Sequence, residues 1–579
     1  MGYGSQGATA PTESPNLIAS EISARATSPA TLPVSVLSVV VTVLLAHYAR
    51  VRGFGLYEDD YWAVAPYLAQ RPAALWPVLV DCFKTWPQGR PLNHLLPPAL
   101  AVAGSQLGGL RGAYVIAAGW LAANGTLVLL VARRVLSPRG ALVTAVAYVL
   151  FPADSTKILL VHAAHVQGAM TFLLLGTWLW LRGGAARVAS YPVAGLALLA
   201  YESAFLPFLA VPLLAPANRQ RTLPRWTWHA VGCALLVGSV LAVRILLGED
   251  RVAAAAAQRG ETLWRVVTSF AIGPWTSGGV LLRSLVTAWR DADRVGAMTA
   301  VLFGVALVVA LSAVGRTPLR SSLPALAEPA RLAQPDGGAM PWWRVLLFGL
   351  LSWSLSYALT LVNYPPTQTV GRLTSTHVAG AFGVALSIGA LDDGLRRRLR
   401  FSFLGTVGVA IVFCSWLLYQ QGIQRQFVEA WAAQRSYWHA VLSLAREVRA
   451  GWTVIVEGHP VDGPPAILVN SWADPLAYRE LLPADWRPPV AYAHLGRVGE
   501  FVSFREHGGT VEWKPEFWGG PFRPIDPTRL VLLHDDGGVL TRVQAIRTPL
   551  GTLRSAAPVS PPGPGLRGSG PVSRLMFDP

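Results

Sequence analysis

The sequence predicts a polytopic α-helical membrane protein of about eleven crossings, with a small extracytoplasmic α/β domain at its C-terminal side. Three observations carry that prediction. Apolar runs approaching the roughly 20 residues needed to cross a bilayer recur between Leu32 and Tyr419. Hydrophobic residues make up 52% of the 579-residue chain and charged residues 14%, against about 25% charged in a typical soluble protein. Arginines gather between the apolar runs, as at Arg133, Arg134 and Arg139 or at Arg396, Arg397, Arg398 and Arg400, which is the pattern left by a positive-inside topology.

Taken in order, residues 1–30 are polar and rich in Ser, Thr, Ala and Pro. They are expected to be a disordered cytoplasmic tail, because no basic n-region and cleavage site adjoin the first apolar run. Leu32–Ala49 is the first expected span. Residues 50–110 mix Pro, Trp and charge and are expected to form a long outer loop, with amphipathic pieces such as Trp76–Phe83 lying at the interface. Ala113–Val131, the short run Ala141–Phe151, and Val166–Leu181 follow. Val193–Leu214 is broken by Tyr201-Glu202, Pro207 and Pro212; a hairpin of two short helices with Glu202 at its tip keeps Arg219, Arg221 and Arg225 on the inner side. Ala230–Leu247 then leads out to a loop, Gly248–Val295, and Met298–Val314 returns to a Pro-, Arg- and Ala-rich cytoplasmic linker, Gly315–Met340. Val345–Val362, Val378–Leu391 and Phe403–Tyr419 complete a transmembrane domain over residues 31–420.

Residues 421–554 are expected to form the extracytoplasmic α/β domain. Gln421–Val448 reads as an amphipathic helix. Trp452–Glu457, Ala466–Val469 and Leu530–Leu533 read as strands, and Asp535-Asp536-Gly537-Gly538 before Val539–Val543 is a hairpin signal. Residues 555–579, rich in Pro, Ser and Gly, are expected to be a disordered tail. The composition, with lysine only at Lys84, Lys157 and Lys514, favours a bacterial plasma membrane.

The formal charge of +16 does not call for a nucleic-acid partner, because the arginines that make it sit in short inter-span clusters. Cys82, Cys233 and Cys414 are scattered and odd in number, which gives neither a disulfide framework nor metal-ligand spacing.

The chemistry-bearing residues concentrate in the segments expected outside. Leu56–Trp62 holds three consecutive acids, Glu58, Asp59 and Asp60, just after the first span. Arg90, Asn93 and His94 follow in the same loop, then Asp154, Lys157, His162 and His165, then Tyr201 and Glu202, and finally Arg372 and His377. Ionisable groups at a membrane are costly and usually mark substrate paths or sites. Several have plainer readings. Asp59-Asp60 could cap an interfacial helix, Glu202 could be a paired buried acid, Arg372 could anchor a helix end to headgroups, and Trp62, Trp76 and Trp86 fit an aromatic belt. His162 and His165 lack a third ligand at zinc spacing.

An acidic pair after the first span, Arg90-Pro91-Leu92 in the same loop, Pro152 followed by His162 and His165, an acid in a short hairpin, and Gly371-Arg372 before a late span together resemble the GT-C glycosyltransferases. The likeness is to the protein O-mannosyltransferase and aminoarabinose-transferase branch, and to multi-spanning mannosyltransferases with tetratricopeptide repeats. It covers roughly residues 30–420. Tyr201-Glu202 stands where Lys-Glu is common, Gly371-Arg372-Leu373-Thr374 where Glu-Arg-Tyr is common, and no tetratricopeptide repeat is visible.

The resemblance implies a polyprenyl-phosphate sugar donor, an extracytoplasmic acceptor (glycan, lipid or protein) and inversion at the anomeric carbon. Such chemistry needs a base for the acceptor hydroxyl, expected at Asp59 or Asp60, only one of which should face the substrate. The leaving phosphate needs cations or donors, expected first at Arg372, then at Lys157, His162, His165 and Arg90. Asp154 and Glu202 are expected to orient these groups or to bind a divalent metal, Mg or Mn, with Glu58, His94, Tyr201 and His377 in support. A transporter or flippase of a lipid-linked glycan is the competing expectation. It predicts inverted repeats, and the acidic first loop has no counterpart after the Gly315–Met340 linker.

Overall fold

The computed structural model describes residues 31–215, 219–315, 340–359, 371–398, 402–459, 473–486, 490–495, 502–515, 521–559, 561 and 567–577. The expected N-terminal tail, most of the Gly315–Met340 linker and the expected strand Ala466–Val469 lie outside the described residues.

Helix α1, Thr31–Val43, runs into a wider π turn, Leu44–Tyr48. The first loop then holds the short helix α2, Asp60–Ala63, followed by α3, Leu75–Thr85, and α4, Pro91–Gln106. Next come α5, Leu110–Ala132; α6, Pro138–Leu150; α7, Leu160–Arg182; and α8, Gly184–Ala200. Helix α6 starts on a cap that its sequence foreshadows: Ser137 Oγ accepts from the Gly140 amide, and Pro138, which has no amide hydrogen to leave unpaired, occupies the first turn. Helix α8 stops at Tyr201, whose backbone is extended. The chain resumes as α9, Glu202–Phe205, and a 3-10 segment, Leu206–Leu214. Tyr191 before the break and Phe208 after it meet edge-on, ring centroids 5.9 Å apart. The chain therefore doubles back, with Glu202 at the bend.

The region expected as the loop Gly248–Val295 is mostly helical. Helix α10, Arg219–Leu246, is followed by α11, Asp250–Ala257, and by the 32-residue α12, Arg259–Arg290. The Arg, Thr and Ser residues spread along α12 interrupt any long apolar run, which is why the sequence reads as non-spanning there. Helix α13, Arg294–Gly315, α14, Trp342–Leu355, and α15, Gly380–Arg398, complete the bundle. α7 packs on α8 and α5, α14 on α15, and α15 on α6.

Six helices among the described residues are long and apolar enough to cross a membrane, while Pro138–Leu150, Gly184–Ala200 and Glu202–Leu214 are shorter apolar helices. The expected count of eleven is thus not reached on length and composition.

The expected domain boundary at residue 420 falls inside a single helix, α16, Ser402–Leu444, which runs for 43 residues. Its first half is apolar; its second half carries the C-terminal domain. There β1, Thr453–His459, lies between two parallel neighbours, β2, Ala491–Leu495, and β6, Leu530–Asp536, after the chain has passed through α17, Asp474–Leu481. A meander of β3, Val502–His507, β4, Thr510–Pro515, and β5, Arg523–Pro524, connects β2 to β6. The antiparallel strand β7, Val539–Val543, pairs with β6 through the expected Gly-Gly turn, where Asp535 Oδ1 accepts from the Gly538 amide. A two-stranded ribbon of β8, Ala545–Thr548, and β9, Gly551–Arg554, follows.

The last stretch corrects the expected disordered tail. Helix α18, Pro571–Phe577, is ordered, with Val572 and Met576 buried, and Arg435 of α16 donates to the Met576 carbonyl at 2.9 Å. Two apolar anchors within a Pro- and Gly-rich stretch are enough to dock it, and composition alone does not register them.

Candidate active site

The loop after α1 is laid along the second half of α16. Gln424 donates to the carbonyls of Leu45 and Ala46 and accepts from the Arg50 amide. One turn further, Tyr57 donates to the Phe427 carbonyl at 2.9 Å, and Tyr61 donates to Gln434 Oε1 at 2.9 Å. Gly55 lies so close to the Trp431 indole that an added Cβ would sit 1.9 Å from it. From the other side α17 packs on α2. The three acids are thus held by a helix from the membrane and by the domain above it.

This clamp sends the three acids in different directions. Asp60 is fully buried. Its Oδ1 accepts from the Val161 amide at 2.9 Å and its Oδ2 from the Tyr57 amide at 3.1 Å. It caps the start of α7, where unpaired helix amides favour an acceptor. Burial pushes its carboxyl up to about 7, although those same amides pull the other way. Asp59 instead faces Arg372, with Oδ2 3.3 Å from Nη2; its side chain is 11% exposed and that of Arg372 is 35% exposed. Glu58 has a left-handed backbone, φ 44°, which costs a non-glycine residue about 1–3 kcal/mol and is tolerated mostly at functional sites. Its Oε2 is buried without a hydrogen-bond partner. Burial raises its carboxyl well above the ordinary range, opposed by Arg372 and reinforced by Asp59 and Asp60.

His162 and His165 lie one turn into α7, their rings 5.0 Å apart, and the Nδ1 of each is buried without a partner. His165 also faces the Tyr201 ring at 6.2 Å. Tyr201 in turn carries the Arg90 guanidinium 5.0 Å from its centroid. Arg90 and Arg244 both hold Glu202, each at 2.6 Å on a different oxygen. Trp62 and His94 face each other at 5.3 Å, and the Asn93 Oδ1 is another buried acceptor without a partner. Native interiors leave few buried polar atoms unpaired, and Glu58, Asn93, His162 and His165 each carry one.

Four sequence-expected residues have other employment. Lys157 is 3% exposed and donates to the carbonyls of Val149, at 3.3 Å, and Phe151, at 3.1 Å, with Asp154 3.8 Å away. Its ammonium caps the C-terminal end of α6. Asp154 is buried, its Oδ1 accepting from the amide and hydroxyl of Thr156. His377 is buried and its Nδ1 meets the Tyr357 hydroxyl at 2.9 Å. Asp60 belongs to the helix cap. The Asp154 segment nevertheless touches the site through its neighbour: Ser155 Oγ accepts from the Gly371 amide and meets Thr374 Oγ1 at 2.9 Å, which fixes the turn carrying Arg372.

Of the two carboxylates expected to orient these groups or to bind a divalent metal, Glu202 is held by two arginines and Asp154 has the Lys157 ammonium 3.8 Å away. Arg244 and Glu249 escaped the sequence reading. The available signal was a cation near the end of the apolar run Ala230–Leu247, with an acid directly after it.

No family model matches the chain, and neither a curated protein nor a solved structure matches it.

Proposed function

We propose that this chain is an integral membrane glycosyltransferase of the GT-C type, with about eleven crossings, an extracytoplasmic site and a bacterial plasma membrane as its location. It would move a sugar from a polyprenyl-phosphate donor to an acceptor hydroxyl. The observation that carries the reading is the Asp59–Arg372 pair, 3.3 Å apart, set among buried polar atoms of Glu58, His162 and His165 that lack partners. A flippase needs charged groups as well, but it does not need a carboxylate poised beside a phosphate-sized cation.

The pair supplies both ends of an inverting displacement. Arg372 is part-exposed, and its planar fork suits phosphate oxygens. A donor phosphate arriving there competes with Asp59 for the guanidinium and releases the carboxylate. The acceptor oxygen then attacks the anomeric carbon while the bond from that carbon to the phosphate oxygen breaks. The acceptor proton passes to Asp59, and the charge gathered on the leaving phosphate is held by Arg372. His162 and His165 offer further contacts to the donor headgroup. Lys157, Asp60 and His377 take no part in the step.

The test is release of polyprenyl phosphate by the purified protein from a panel of polyprenyl-phosphate sugars in the presence of candidate acceptors. Release that vanishes in Arg372→Ala while the protein stays folded supports the reading. Release unaffected by that change, or lipid flipping with no release from any donor, replaces it with the transport alternative.

A further inference from the structure

Beside the Arg90–Glu202–Arg244 cluster lies a cavity of about 270 Å³, lined by Trp86, Gln88, Gly89, Arg244 and Glu249 among others. Its wall is an unusual piece of backbone. Trp86, Gln88 and Gly89 all have left-handed φ, at 46°, 53° and 69°. A bulky residue in that conformation is a genuine outlier, and here it swings the half-buried indole of Trp86 onto the cavity. Gly89 is required twice over: for its φ, and because an added Cβ would stand 2.5 Å from the Arg244 guanidinium. Arg244 locks the wall in place, donating to the Gly89 carbonyl from Nε at 3.1 Å and from Nη2 at 2.7 Å.

The decisive group is Glu249. Both of its carboxylate oxygens are buried and neither has a hydrogen-bond partner. Two unmet acceptors on one carboxylate call for a ligand with two donors side by side. An anion is excluded by that carboxylate. A bare cation is disfavoured by Arg244 in the wall and by Arg90, which lies within electrostatic range of Glu249. What remains is a neutral molecule that offers neighbouring hydroxyls to Glu249, accepts from an arginine, and presents a C–H face to an indole. The volume sits at the lower edge of the roughly 300–1,000 Å³ of small-molecule pockets, which suits one ring and not a chain.

We infer that this cavity binds a single neutral sugar ring, with vicinal hydroxyls on Glu249 and a ring face on Trp86. That a sugar binds rests on the cavity's own chemistry; that the sugar is a substrate rests on the glycosyltransferase reading. Arg244 couples the two places, since it holds the cavity wall and Glu202 at once.

The experiment is titration of the full chain, in a detergent without a sugar headgroup, with methyl glycosides of glucose, galactose, mannose and arabinose. Saturation-transfer NMR and tryptophan fluorescence provide the readouts. Saturable binding of at least one glycoside is expected, weakened about tenfold or more in Glu249→Gln, the loss expected for a hydrogen bond to a charged group. Trp86→Ala should weaken it as well; if that variant does not fold, the isosteric Glu249→Gln decides alone. Asp59→Asn should bind the glycoside as the parent does. Absence of saturable binding of every glycoside up to about 10 mM, beyond the weak end of specific affinities, overturns the inference, as does binding unchanged in Glu249→Gln. Binding that holds while Asp59→Asn retains full donor turnover keeps the sugar site and removes the catalytic reading, so the two fail separately.

Discussion

Helices α6 and α15 pack together with opposite directions, and a charged cluster closes each end of the pair. At one end Arg139 makes a two-pronged contact with Asp392, at 3.0 and 3.2 Å, and donates to Thr406, while Asp393 accepts from the amide and hydroxyl of Ser137. At the other end lie Glu58, Asp59, Arg372, His162 and His165, where one ion pair is part-exposed and several buried atoms have no partner. Both ends bury charge in a chain that has little of it. In the Arg139 cluster each carboxylate is met by named donors, and the cluster therefore reads as a structural lock. The Asp59 cluster leaves valence open and holds Glu58 in a strained conformation. Unmet hydrogen bonding, more than charge burial, separates a candidate site from a clamp.

The largest effect that bears on this contrast is expected at the lock. Arg139→Ala leaves Asp392 the longer, 3.8 Å contact with Arg396 and should lower stability by about 3–5 kcal/mol, seen as a clear drop in Tm of the detergent-solubilised protein. Turnover per folded molecule should hold. A variant that kept its Tm would erase the distinction between the two ends.

The next effect tests the support beneath the open cluster. Gly55→Ala forces a methyl group into the Trp431 ring and should cost about 1–3 kcal/mol, as overpacking does. Because the displaced segment carries Glu58 and Asp59, turnover should fall further than the lost stability accounts for. Pairing the variant with Trp431→Leu should recover part of both.

A further effect concerns pH. The Asp60 carboxyl is raised to about 7 in the folded protein, so the native state holds its proton more tightly than the unfolded chain does. Its stabilising contribution is complete below the ordinary carboxylate range and is lost as pH rises through about 7. Asp60→Asn should flatten that part of the stability profile, measured as Tm against pH. An unchanged slope would place the dependence elsewhere.

Much of the architecture is legible in the sequence because it rests on local rules. Apolar run length marks α1, α5, α7 and α13, and the Tyr201-Glu202 interruption marks the bend after α8. The Gly-Gly turn between β6 and β7 is equally local. The misreadings share a cause. Helix α12 carries too many polar residues to show a long apolar run, α16 continues through a change of composition at residue 420, and α18 docks through two side chains. None of these is decided by a window of sequence. The grouping of Glu58, Asp59, Arg372, His162 and His165 follows from the idea that costly charges share one face. The same idea overreaches with Lys157, since it cannot tell an ammonium aimed at a substrate from one folded back onto the carbonyls of its own helix end. Arg244 stayed hidden because its partners, Gly89 and Glu202, are distant in sequence, and Glu249 because its surroundings come from the equally distant turn at Trp86–Gly89.

The most direct measurement compares the parent and Asp59→Asn in a single preparation series, reading polyprenyl phosphate release and Tm together. A loss of release of about 10²–10⁴-fold, the worth of a positioned general base, with Tm unchanged is the expected result. Full release from Asp59→Asn, or a fall in Tm comparable to that of Arg139→Ala, would show that Asp59 is a second lock and would contradict the account.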